Sequence, residues 1–108
     1  MRRVAQRVDL PLENREEYVR LHAAVWPAVE QALTAAGIRN YSIFLDGTDL
    51  FAYFEVEDLT TLEQASARVA ADPETQRWWT LTDPLQRRRE GTAEGEQWFT
   101  LTEVWHLD

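Results

Sequence analysis

Apolar residues recur along this chain with two different periods, and each change of period marks a new element. Val4, Gln6 and Val8 alternate with Arg3, Ala5 and Arg7, which predicts a first strand ending at Asp9-Leu10-Pro11. From about Glu13 to Ala36 the spacing changes to three and four. Tyr18, His22, Val25, Trp26, Val29 and Leu33 form a helical stripe there, flanked by Leu21 and Ile38. Gly37 suits the C-terminal cap of that helix. Pro27 lies inside the pattern and lacks the N–H that would bond to the carbonyl of Ala23. The helix is therefore expected to kink or to divide into two collinear pieces.

Period two returns in Asn40–Asp46 and Leu50–Glu57, two strands joined by the hairpin signal Asp46-Gly47-Thr48-Asp49. Thr60-x-x-Glu63 has the form of a capping box opening a second helix, with Leu59, Leu62, Ser66, Val69 and Ala70 as its packing stripe. Asp72-Pro73-Glu74 then starts a short third helix, Asp as N-cap and Pro in the first turn. The polar stretch 84–96 contains Gly91 and Gly95 and reads as a loop, and a last strand is expected from Gln97 to His106. The order β-α-β-β-α-(α)-β is the split βαβ of a ferredoxin-like α+β fold. It predicts one domain over 1–108, with a four-stranded antiparallel sheet and helices on one face.

The predicted strands are bulky on both faces. Tyr41, Ile43 and Leu45 oppose Phe44; Leu50, Ala52, Phe54 and Val56 oppose Phe51 and Tyr53; Phe99, Leu101 and Trp105 oppose Trp98 and Val104. One protomer's helices cover one face only, so a second copy is the economical cover for the other, giving a homodimer of dimeric α/β barrel type. A lone sheet filled by a large ligand is the alternative.

Composition narrows the function. Eleven basic against 19 acidic residues give a net charge of −8, the wrong sign for a nucleic-acid partner. Arg87-Arg88-Arg89 is the only basic run, and with Glu90, Glu94 and Glu96 close behind it reads as a solvated loop. The absence of cysteine excludes disulfides, thiolate metal sites and a Cys nucleophile. Neither a signal-peptide pattern nor a membrane-length apolar run is present, so a cytoplasmic protein without a membrane partner is expected.

Two features carry candidate chemistry. Trp78 and Trp79 are adjacent, and neighbouring residues diverge by about 100° on a helix, so both rings cannot enter one compact core side by side. A flat ring with one N–H donor suits an amphipathic ligand with C–H faces and hydroxyl edges, such as a sugar; the plainer reading is one core indole and one that seals its edge. His22 falls on the apolar stripe four residues after Tyr18, which puts imidazole and phenol on one helix face, and Tyr41 and Tyr53 bring further hydroxyls from the hairpin. Imidazole can give and take protons near neutral pH, whereas a helix-face His is most often a satisfied core residue. His106 reads as structural or solvated, and Glu55 and Glu103 serve the site only if they face it. No Gly-rich phosphate loop, paired metal-ligand spacing or nucleophile elbow occurs, so no metal and no cofactor are expected.

Taken together, these pieces resemble the L-rhamnose mutarotase family over nearly the whole chain. The likeness rests on Glu16-Glu17-Tyr18 with His22, Trp26-Pro27, Asn40-Tyr41-Ser42-Ile43-Phe44-Leu45-Asp46, Gln76-Arg77-Trp78-Trp79 with Asp83, and Glu103-Val104-Trp105-His106-Leu107. The resemblance implies a homodimeric isomerase that interconverts the α and β anomers of a 6-deoxyhexose, L-rhamnose first, by acid–base ring opening, with His22 as proton donor and Tyr18, Tyr41, Trp78 and Trp79 binding the sugar. The chain departs from the family pattern at Ala23-Ala24, commonly Asn-Pro, and at Ala28, commonly Glu. Two other readings stay open on the residues alone. One is a cofactor-independent monooxygenase of dimeric α/β barrel type acting on an aromatic ligand, and the other a sugar-binding module without chemistry.

Overall fold

A computed structural model describes all residues from 1 to 108. Four strands form one antiparallel sheet: β1 (Arg2–Asp9), β2 (Ile38–Asp46), β3 (Asp49–Val56) and β4 (Phe99–Thr100), in the order β2-β3-β1-β4. Four helices accompany them: α1 (Arg15–His22), α2 (Pro27–Ala35), α3 (Leu62–Ala70) and α4 (Pro73–Thr82). This is the expected ferredoxin-like α+β arrangement.

The long first helix divides at its proline. Pro27 becomes the first residue of α2, and Trp26 before it is extended (φ −62°, ψ 131°), since a residue preceding proline is driven out of the helical region. Residues 23–26 separate α1 from α2. The capping box of α3 lies one residue beyond the Thr60–Glu63 pair: Thr61 accepts from the Gln64 N–H and the Gln64 side chain accepts from the Thr61 N–H. With Thr61 as cap, Ala65 and Val69 fall one turn apart on the buried side. Asp72 caps α4 as expected, through the N–H of Thr75.

Strand β2 starts earlier than its sequence pattern indicates, at Ile38, because a bulge lies between Arg39 and Ser42. Asn40 adopts φ +52°, a left-handed geometry that Asn tolerates. The extra residue reverses the side-chain alternation, so Ile38 and Tyr41 share the helix-facing side although three positions apart. Ile38 joins the core while Tyr41 stacks on Phe54, ring centroids 5.2 Å apart.

Two clusters make up the core. Val4, Ala36, Ile38, Phe54, Val56, Ala65 and Val69 pack at one end of the sheet; Val8, Leu10, Tyr18 and Leu50 pack at the other. Along β1 and β3 the pair Gln6–Ala52 separates them. The opposite sheet face leaves Phe44 58% exposed, with Phe51 and Leu101 lining a shallow groove beside Arg7.

The last strand is far shorter than the expected Gln97–His106. Only Phe99 and Thr100 pair with β1, followed by one bond from the Leu101 N–H to the Ala5 carbonyl. Val104, Trp105 (75% exposed) and Leu107 beyond it bury little surface within this chain. The loop 84–96 is more ordered than its composition indicates. A 3-10 turn at Asp83–Leu85 opens it, and Asp9 and Arg87 then exchange two backbone hydrogen bonds. Nor is the Arg run simply solvated: Arg88 donates to the carbonyls of Thr92, Ala93 and Glu96, and the Arg89 guanidinium lies over Phe99.

Candidate active site

The C-terminal turn of α1, the residues before α2 and the middle of α4 bring four aromatic side chains together. His22 lies over Tyr18, as the i, i+4 spacing dictates, with ring centroids 4.2 Å apart and planes within 24°. Trp78 from α4 meets the imidazole edge-on at 5.4 Å, and Trp26 meets Trp78 at 5.2 Å. Tyr18 is 4% and Trp78 5% exposed, while His22 is half-buried. The imidazole thus has aromatic rings against two of its sides.

One hydrogen bond sets the state of that imidazole. His22 Nδ1 lies 2.9 Å from the backbone carbonyl of Tyr18. A carbonyl only accepts, so Nδ1 carries the proton and Nε2 keeps the lone pair in the neutral ring. Partial burial lowers the His22 pKa below its ordinary value of 6.5, against the opposing pull of the Tyr18 carbonyl. At neutral pH the ring is thus a base poised to accept a proton at Nε2.

The phenols behave in the opposite sense. Burial raises Tyr18 well above the ordinary phenol range, with Tyr41 and Asp83 adding to the rise and a bond from Gln86 opposing it. Tyr41 is pushed up to about 12 by burial of its hydroxyl end, although 38% of the residue surface is exposed. Both stay protonated at neutral pH and are hydrogen-bond donors. Asp83, half-buried at the end of α4, has its carboxyl raised by desolvation, a shift that a bond from Thr82 partly offsets.

Not every candidate joins this group. Trp79 turns away from His22 and rests, half-buried, against the hydrophobic cluster of Val4, Ile38, Phe54 and Val69. The pair thus serves two surfaces, Trp78 beside the imidazole and Trp79 beside the core, as the roughly 100° divergence on a helix requires. Tyr53 faces the other side of the sheet and donates to Glu55, which also accepts from Asn40. Glu103 accepts from Arg3, and His106 bonds Asp108 in the exposed tail. Glu55 and Glu103 therefore lie away from His22. Trp26, Gln86 and Gln97 were not marked as site residues from sequence. Trp26 had a signal in its place on the helical stripe next to a proline, whereas the two glutamines had none.

Comparison with known proteins gives the family. The L-rhamnose mutarotase family model matches residues 3–107. The chain belongs to the L-rhamnose mutarotase family. Named L-rhamnose mutarotases resemble it over most of its length: that of Listeria monocytogenes serotype 4b is 44% identical over 89 residues, covering 81% of this chain and 82% of its own. The protein of Bacillus subtilis is 36% identical across the full length of both chains. The crystal structure of an L-rhamnose mutarotase from Formosa agariphila has the same fold, with TM-score 0.73 and 23% identity over all of both chains. Membership places the chain among carbohydrate isomerases and favours that reading over the monooxygenase and the inert sugar-binding module.

Proposed function

We propose that the chain interconverts the α and β anomers of L-rhamnose through the open-chain aldehyde, with His22 carrying the anomeric proton. On ring opening, neutral Nε2 takes the proton of the anomeric hydroxyl, the bond from C1 to the ring oxygen breaks, and a phenol of Tyr18 or Tyr41 protonates that oxygen. Rotation about C1–C2 turns the aldehyde over. On closure the imidazolium returns its proton to the former carbonyl oxygen, which is where His22 acts as proton donor, and the phenol recovers its own. Such general acid–base catalysis contributes roughly 10²–10⁴-fold. The observation that carries the reading is the Tyr18 carbonyl bonded to His22 Nδ1, which leaves Nε2 as the free nitrogen of a half-buried ring.

Tyr18, Tyr41 and Trp78 would hold the sugar, the phenols on its hydroxyls and the indole on a C–H face or the 6-methyl group. Trp79, which rests against the core, would brace Trp78 from behind. The reading includes a cytoplasmic location and a homodimer in which a second copy covers Phe44, Phe51, Leu101 and the Trp105 tail. Sedimentation should give twice the chain mass, and a strictly monomeric active enzyme would remove the dimer from the proposal. For the chemistry, saturation transfer between the anomeric protons of L-rhamnose should be strong with wild type and lost with His22→Ala. Absence of any enhancement by wild type on 6-deoxyhexoses would overturn the mutarotase reading.

A further inference from the structure

The segment after α4 contributes a chain of side-chain amides whose polarity can be read from one end. Gln97 Nε2 lies 3.4 Å from the backbone carbonyl of Asp83 and 3.0 Å from Gln86 Oε1. Because the Asp83 carbonyl can only accept, the end of Gln97 that touches it is the NH₂ group. That NH₂ also faces Gln86, so Gln86 must present its oxygen there and its own NH₂ on the other side. Gln86 Nε2 lies 3.4 Å from the Tyr18 hydroxyl oxygen. The phenol oxygen therefore accepts from Gln86, and its own O–H is free to donate elsewhere.

Three contacts hold Gln86 in that position. Its preceding neighbour Leu85 gives its carbonyl to Asn14 Nδ2 at 2.9 Å, just before α1. Its following neighbour Arg87 is doubly bonded to Asp9 at the end of β1, at 2.8 and 3.1 Å. The Gln86 N–H donates to the Asp83 carbonyl at 3.0 Å, the same oxygen that orients Gln97. The segment is thus tied to β1 and to the entry of α1, the helix that carries both Tyr18 and His22.

We infer that Gln86, oriented by Gln97 from the Asp83 carbonyl, is a positioning residue that commits the Tyr18 hydroxyl to donate its proton toward the sugar. This rests on the mutarotase reading and deepens it, by giving the Tyr18 hydroxyl a fixed polarity with its proton left for a sugar oxygen. The loop that carries the glutamines acts as the wall that sets the polarity of the site.

Two measurements decide it, applied to wild type, Gln86→Leu, Gln86→Glu and Gln97→Leu. In ¹³Cζ-tyrosine-labelled protein, Gln86→Leu should move the Tyr18 resonance and leave Tyr53 in place. Gln86→Glu should move it further, because a carboxylate makes Tyr18 donate to residue 86 instead of to sugar. Anomer exchange of L-rhamnose should fall about threefold to tenfold in Gln86→Leu, the size expected for one hydrogen bond. The loss should be at least as large in the isosteric Gln86→Glu and smaller in Gln97→Leu. On a Tyr18→Phe background, Gln86→Leu should cost nothing more. An unmoved Tyr18 resonance in Gln86→Leu, or an undiminished loss on the Tyr18→Phe background, overturns the inference. If wild type fails to exchange anomers, the mutarotase reading falls, while the Tyr18 resonance still reports whether Gln86 directs that hydroxyl.

Discussion

The two ends of the helix-facing sheet surface are built differently. The cluster of Val4, Ala36, Ile38, Phe54, Val56, Ala65 and Val69 is built of hydrocarbon side chains, and α3 closes the layer. Around Val8, Leu10 and Leu50 the closing residue is a phenol, Tyr18, which stacks on an imidazole and accepts from a glutamine. Close-packed hydrocarbon yields stability through area removed from water and tolerates little loss of volume. A half-polar wall yields less per residue, but it can hold donors and acceptors at fixed distances. One end of this core is closed by hydrocarbon alone, and the other fixes the polar groups to which the proposed chemistry is assigned.

Exchanging truncations between the two ends is the sharpest way to break that distinction. Ile38→Ala should lower unfolding free energy by about 2–5 kcal/mol, the usual cost of an emptied core position. Anomer exchange per folded molecule should be unaffected. His22→Ala should do the reverse, abolishing most of the exchange for about 1 kcal/mol of stability, the typical cost of one substitution. Denaturant titration beside saturation transfer reads both, and slower exchange per folded Ile38→Ala molecule would show that the ends are not separable.

Smaller effects come from pH. Burial holds Asp83 above its ordinary value of 3.8, so its native state binds protons more readily than the unfolded chain. Its stabilising contribution is therefore complete below that pH and is lost as pH rises through the native value. Asp83→Asn should melt higher than wild type at pH 7, with the gain disappearing below about pH 3.8. His22, whose value is lowered from 6.5, has the opposite sign: its contribution is present above pH 6.5 and lost as pH falls through the native value. Thermal melts of wild type, Asp83→Asn and His22→Ala across this range separate the two. A constant offset between Asp83→Asn and wild type at every pH would show that the carboxyl is not strained by burial.

Much of this was legible before any coordinates. The Tyr18–His22 pair follows from helical spacing alone, because i and i+4 lie over one another in any α-helix. Pro27 announced the break in the first helix, and Asp72-Pro73 the start of α4, since both act through the backbone within a few residues. The extent of β4 was not legible. The segment Gln97–His106 has strand character, yet only Phe99 and Thr100 join the ladder with β1, followed by one backbone bond from Leu101. Val104, Trp105 and Leu107 stay exposed, because strand character in one segment does not supply the neighbour that pairing requires. The cap of α3 is ambiguous in the sequence: Thr60-x-x-Glu63 and Thr61-x-x-Gln64 satisfy the same local pattern, and the structure closes the second.

Local periodicity and backbone chemistry thus determined the order of elements, the sheet's two-sided character and the residues that share a helix face with His22. What the tertiary structure alone decided was where those faces meet. It put Trp78 beside the imidazole and Trp79 against the hydrocarbon layer. It used a bulge at Asn40 to turn Tyr41 inward, and it brought Gln86 to a phenol 68 positions away. Spacing along a chain specifies which side of an element a residue occupies, but contact requires two elements, and their relative placement is set by packing that no single segment encodes.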